Sequence, residues 1–197
     1  MKIRSLLLIL VLGLCTFLTA CDFEGGVEQG RCVAFNPEAK TLTIVVDVTH
    51  DQFNPHYSGG THVYKLPTAP GEMGPLPEVG GRLMIDLEKN TVLVYDPETK
   101  ATREISVQFA DVEKNIRPKH PKVAGKSFPV VDKEQQTVTL YSNRLSALIT
   151  FKVSESDIEL PPYTWAAGSE MRIAYRNENK DQAIRIMNVS KTNIFSK

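Results

Sequence analysis

Thr41-Leu42-Thr43-Ile44-Val45-Val46-Asp47-Val48 decides the fold class. Leu42, Ile44, Val46 and Val48 fall on one face, with the threonines and Asp47 mostly on the other, which is the pattern of a half-buried strand. The alternation returns along the chain. Leu83, Ile85 and Leu87 oppose Arg82, Met84 and Asp86, while Ile105, Val107 and Phe109 oppose Glu104, Ser106 and Gln108. Further apolar runs are Val92 to Tyr95, Val138 to Leu140, Ile149 to Val153 and Met171 to Tyr175. Turn formers separate them: Asn36-Pro37-Glu38, Asp96-Pro97-Glu98-Thr99, Asp132-Lys133-Glu134 and Asn177-Glu178-Asn179. No segment past residue 20 carries a helical stripe. The pattern predicts an all-β fold of short strands joined by tight turns.

Two stretches read as one motif written twice. Gly30-Arg31, a turn at Asn36 and Thr41-Leu42-Thr43-Ile44 correspond to Gly125-Lys126, a turn at Asp132 and Thr137-Val138-Thr139-Leu140. Val63 to Leu66 matches Thr150 to Val153, and Gly80 to Leu87 matches Gly168 to Tyr175. A strand through Ile105 and Val107 matches one through Ile184 and Ile186, and Thr91 to Arg103 is an extra arm in the first half. The expectation is a tandem of two small OB-like or SH3-like five-stranded barrels, since closure removes exposed strand edges. They would occupy residues 30–112 and 125–197, joined by a polar, proline-bearing linker over 113–124. The longest irregular stretches are Pro67 to Pro77 and Ser154 to Ala167. Pro67, Pro70, Pro75 and Pro77 exclude a helix from the first.

At the N-terminus, Lys2 and Arg4 precede an apolar run from Leu6 to Leu18 and the small residues before Cys21, the layout of a secretory signal peptide. Ser5 to Ala20 is shorter than the roughly 20 apolar residues that a spanning helix needs. Leu18-Thr19-Ala20-Cys21 resembles the lipobox of bacterial lipoproteins. The resemblance covers the first tenth or so of the chain. It implies a signal peptide over 1–20 cleaved after Ala20, a covalent lipid on Cys21 and a tether over 21–29. Two or more acyl chains anchor a protein stably without spanning the bilayer. The implied location is the bacterial cell envelope, lipid-anchored and facing the periplasm, with Asp22 slightly favouring the inner membrane.

Removal of residues 1–20 takes away Lys2 and Arg4 and no acid, so 23 basic residues fall to 21 against 23 acidic ones. Nonspecific nucleic-acid affinity comes mainly from a basic surface, which neither a net charge of −2 nor the compartment favours, so nucleic acid is not an expected partner. Of the three cysteines, Cys15 leaves with the signal and Cys21 carries lipid. Cys32 remains, in the apolar run Cys32-Val33-Ala34-Phe35, where burial as a small hydrophobe is expected.

The sequence carries no Gly-x-Ser-x-Gly elbow, His-Glu-x-x-His, Cys-x-x-Cys or phosphate-binding glycine loop, so no catalytic residue is assigned. No cofactor is expected beyond the lipid. Two constellations remain. His50, His56 and His62, with Asp47, Asp51 and Asn54 nearby, could ligate a metal, although the six-residue gaps match no metal motif and each ring could be an ordinary polar residue. Pro161-Pro162-Tyr163-Thr164-Trp165 makes Tyr163 and Trp165 a candidate binding loop, unless Trp165 folds down to plug the second barrel. These features suggest a non-catalytic binding or assembly module for an envelope protein or glycan. A hydrolase acting on peptidoglycan or polysaccharide would need a cleft with converging carboxylates, or a histidine and a carboxylate, and a structural spacer would need no cleft.

Overall fold

A computed structural model describes residues 24–51 and 54–192 of the chain. The expected lipidation and cleavage positions, Cys21 and Ala20, and Asp22 lie outside the described residues. The strands are β1 (Gly25–Asn36), β2 (Thr41–Val46), β3 (Thr61–Lys65), β4 (Arg82–Asp86), β5 (Thr91–Asp96), β6 (Ala101–Ser106), β7 (Gln108–Lys114), β8 (Val130–Asp132), β9 (Thr137–Ser142) and β10 (Ala147–Lys152). A one-turn helix, α1 (Glu155–Ile158), and a 3-10 turn (Pro162–Thr164) lead to β11 (Glu170–Arg176) and β12 (Asn179–Asn188).

Five of the hairpins share one turn chemistry. Asn36, Asp86, Asp96 and Asp132 each accept backbone N–H groups from the next two or three residues through a side-chain oxygen, and Ser142 Oγ does the same for Leu145. Four residues after each of these, Lys40, Asn90, Lys100, Gln136 and Ser146 take the left-handed conformation, with φ between 48° and 57°. An Asx or Ser turn closed by one left-handed residue fits a four- or five-residue hairpin loop.

The all-β expectation holds, and the arrangement differs from a tandem of two barrels. One closed barrel runs in the order β1-β11-β12-β3-β2, beside a four-stranded sheet β7-β10-β9-β8 and a three-stranded sheet β4-β5-β6. Strands from both ends of the chain therefore build the barrel: β1 pairs antiparallel with β11 from Gly25↔Arg176 to Arg31↔Glu170, and β12 meets β3 in parallel at Gln182↔Lys65. The 113–124 stretch does not divide the barrel from the sheets. Its start belongs to β7, Ile116 and Val123 are buried, and the Tyr141 hydroxyl donates to the Ile116 carbonyl over 3.0 Å.

Three cores result. The barrel closes over Cys32, Leu42, Ile44, Tyr64, Met171, Ile173, Ala183 and Ile186. The two open sheets share a second core that joins Ile85, Val92 and Val94 to Leu140, Ile149 and Phe151. Between them Val33 and Val45, on the barrel's outer side, meet Leu83 and Tyr95 of the three-stranded sheet and Tyr57. A register shift between Cys32 and Ala34 lets β1 serve both sides, with Cys32 in the barrel and Val33 against the sheet.

Backbone close packing fixes this junction. Cys32 N–H donates to the Ser169 carbonyl over 2.9 Å, Gly81 N–H to Tyr163 over 2.8 Å and Arg82 N–H to Ala166 over 2.9 Å. A Cβ on Gly168 would lie 1.9 Å from the Cys32 carbonyl oxygen, and one on Gly80 2.3 Å from that of Ala166. Only glycine allows chain segments this close. The Gly80-Gly81 and Gly168-Ser169 pairs that head the two matching stretches thus meet where barrel and sheets join.

Candidate functional site

The junction leaves a cleft of about 650 Å³. That size suits a small ligand or one side of a larger partner. Arg31 enters from β1, Arg82 from β4, Arg144 from the turn between β9 and β10, and Lys191 from the stretch after β12. Glu78 and Glu170 supply the facing acids. Among the described residues, the lining thus carries four formal positive charges against two negative ones.

Arg31 and Glu170 are built in together. They face each other across the β1 and β11 register, with Arg31 Nε 3.4 Å from Glu170 Oε2. The Tyr57 hydroxyl donates to the same carboxylate oxygen over 2.9 Å and accepts from Arg31 Nε at 3.2 Å, while Arg31 Nη1 donates to the Gly168 carbonyl over 2.9 Å. Burial raises the Glu170 carboxyl above its ordinary range, Arg31 and the Tyr57 hydrogen bond pulling the other way. Its Oε1 is buried without a hydrogen-bond partner.

Arg82 is 7% exposed although alternation placed it on the outer face of its strand. Its Nε donates to the Trp165 carbonyl over 3.0 Å. A neutral carbonyl does not compensate a buried charge as a carboxylate does. Burial, with the Arg31 and Arg144 guanidiniums nearby, pulls its pKa well below the ordinary guanidinium range, to about 9. Arg144 is lowered too, chiefly by burial. Ser142, Ser169 and Ser190 also line the cleft, and each accepts a backbone N–H through its Oγ. A hydroxyl that accepts still has its proton to donate.

The positions singled out in the sequence lie elsewhere. Trp165 is 0% exposed and stands edge-on to Phe151 at 5.7 Å, so it plugs the shared sheet core and offers no surface platform. Tyr163 is half-buried and its hydroxyl donates to the Val33 carbonyl over 2.7 Å, which pins the loop to the barrel. Trp165 reaches the cleft through its backbone carbonyl, which accepts from Arg82 Nε.

His50, His56 and His62 do not converge, and among the described residues no group of three or more His, Cys, Asp or Glu side chains could hold a metal. His50 and His56 are exposed. His62 sits on the barrel wall, with Nδ1 2.9 Å from Glu28 and Nε2 3.0 Å from Asp181, its ring stacked on Tyr64 at 4.0 Å. Asp47, expected on the polar face of β2, is buried, and one of its oxygens accepts from the backbone N–H groups of Thr49 and His56 and from the Thr49 hydroxyl. In the described part of the histidine loop, the backbone of Thr49 and His56 is thus gathered on the Asp47 carboxylate.

A family model described as a domain of unknown function, DUF4881, matches residues 23–197. The chain belongs to that family. No curated protein and no solved structure matches it. The matched span takes in every strand of the barrel and both sheets, and with them the whole lining of the cleft.

Proposed function

We propose that this DUF4881 protein is a lipid-anchored envelope module that binds without catalysis and takes its partner, an envelope protein or glycan, in the cleft between barrel and sheets. The supporting observation is the convergence of Arg31, Arg82 and Arg144 from three separate elements on one concave surface. Its walls are preformed by paired strands and backbone contacts, so little ordering is lost on binding. The sequence at Leu18-Thr19-Ala20-Cys21 supports the anchor, and a tethered site meets partners on the same membrane at raised effective concentration. Mass spectrometry of the native product tests the anchor: acyl chains on the Cys21 peptide support it, and an unmodified peptide overturns it.

Photocrosslinking in native membranes tests the site. A benzophenone attached through Asn143→Cys, an exposed lining position, is expected to trap a discrete partner that Arg144→Glu abolishes. The same adducts with and without Arg144→Glu would remove the cleft from the reading.

One observation favours a hydrolase as the second reading: Glu170 is a carboxyl with raised proton affinity inside a cleft, a common mark of a general acid. Against it, Glu170 is tied to Arg31 and Tyr57, and Glu78 is 70% exposed and 3.1 Å from Lys191. Release of fragments from purified peptidoglycan, absent with Glu170→Gln, would decide for the hydrolase.

A further inference from the structure

We infer that the cleft recognises a compact oxyanion with two negative charges, of the phosphoryl class, held by Arg31, Arg82 and Arg144 with serine hydroxyls at its edge. The inference rests on the reading of the cleft as the binding site and adds the chemistry of what enters it. Among the described residues, four cations and two acids line one concavity, an excess of two positive charges. Lys191 lies 3.1 Å from Glu78 and Arg31 Nε lies 3.4 Å from Glu170, while buried Arg82 donates from its Nε to a neutral carbonyl, that of Trp165. Gathering like charges out of water is unfavourable, and an apolar side chain at position 82 would pack there at less cost. A dianion reverses that balance.

Geometry selects the class. The three arginines that line the cleft come from separate elements, β1, β4 and the turn between β9 and β10. Guanidinium forks match carboxylate and phosphate oxygens alike, but a tetrahedral group presents oxygens in three directions, whereas a carboxylate presents two in one plane. Ser142, Ser169 and Ser190 add neutral donors suited to the remaining oxygens. Burial of Arg82 strengthens the reading, since a desolvated guanidinium gains more from an anion than one in water.

Calorimetry on the full-length protein in neutral detergent tests this, with inorganic phosphate as the probe. Saturable binding at a Kd of about 1 mM or tighter is expected, weakening as salt rises. Arg144→Gln, at a half-buried turn position, should weaken it about tenfold, the weight of one charge-assisted hydrogen bond, and Lys191→Gln should weaken it less. Succinate, with the same charge on two planar groups, should bind more weakly than phosphate. Two further arms separate the sources of a phosphoryl group: glucose 1-phosphate stands for a sugar phosphate and short-chain phosphatidic acid for a lipid headgroup, and the tighter one identifies the source. Absence of saturable binding by all three phosphoryl probes, succinate binding equal to phosphate, or phosphate binding untouched by Arg144→Gln would each overturn the inference. If the Asn143→Cys crosslink persists while no phosphoryl probe binds, the anion class fails and the cleft stands as a binding site. If both are lost, both fail.

Discussion

Replacing Trp165 by alanine should remove the largest fully buried side chain of the fold and weaken the sheets that carry Arg82 and Arg144. The ring is 0% exposed, contacts Phe151 edge-on at 5.7 Å and belongs to the core joining β4, β5, β6, β9 and β10. Tryptophan-to-alanine changes at such sites cost about 3–5 kcal/mol through lost transfer energy and the cavity left behind. At about 2–4 °C per kcal/mol for a domain of this length, the melting temperature should fall by about 6–20 °C. Trp165→Phe should cost distinctly less, because it keeps the aromatic contact and deletes an indole N–H that is buried without a partner. Urea unfolding followed by far-ultraviolet circular dichroism measures both, since the chain has one tryptophan and fluorescence is lost with it. In the wild type, that fluorescence should be blue-shifted and poorly quenched by acrylamide. A loss below about 1 kcal/mol for Trp165→Ala, the range of surface substitutions, would refute the plug and return Trp165 to the surface.

Cys32 lies wholly inside the barrel and burial pushes its thiol up to about 12, so it should resist iodoacetamide at pH 8 and react at the rate of global unfolding. Fast labelling of the native protein would place it elsewhere. The raised Glu170 carboxyl contributes stability that is fully present below its unfolded value of 4.5 and is lost as pH rises through its higher folded value. Glu170→Gln should therefore gain stability relative to wild type across that window, and a constant difference between the two in urea titrations would contradict it. Because β1 to β3 need β11 and β12 to close the barrel, fragments 21–124 and 125–197 should each lack a cooperative melt when made alone and recover one when co-expressed. A cooperative melt of either fragment by itself would restore two independent barrels.

Strand identity was legible where a side chain has one neighbour to satisfy. Leu42, Ile44, Val92, Val94, Leu140 and Ile149 are buried as alternation requires, and the turns at Asn36, Asp96 and Asp132 lie where their side chains accept backbone N–H groups. Alternation failed where a strand has two covered faces. Val45 is buried beside Ile44 because the outside of the barrel is itself packed against Leu83 and Tyr95. Arg82 was assigned to solvent by the same rule and is buried beneath the loop that carries Trp165.

The matching halves suggest two closed units, but likeness between stretches does not say which strands pair. β11 resembles β4 in sequence and yet closes on β1, from the other half. The cleft left no local trace, since Arg31, Arg82 and Arg144 are brought together by that pairing and share no motif. Gly80-Gly81 before β4 and Gly168 before β11 are the available signal, marking where two segments pass within a carbonyl's reach.

The most direct measurement is anomalous diffraction from crystals of the mature protein soaked in tungstate, a tetrahedral dianion with a strong anomalous signal. A peak among Arg31, Arg82 and Arg144, weakened in Arg144→Gln crystals, is the predicted result. A fully formed cleft without tungsten, while the ion occupies other sites on the same molecule, would contradict it.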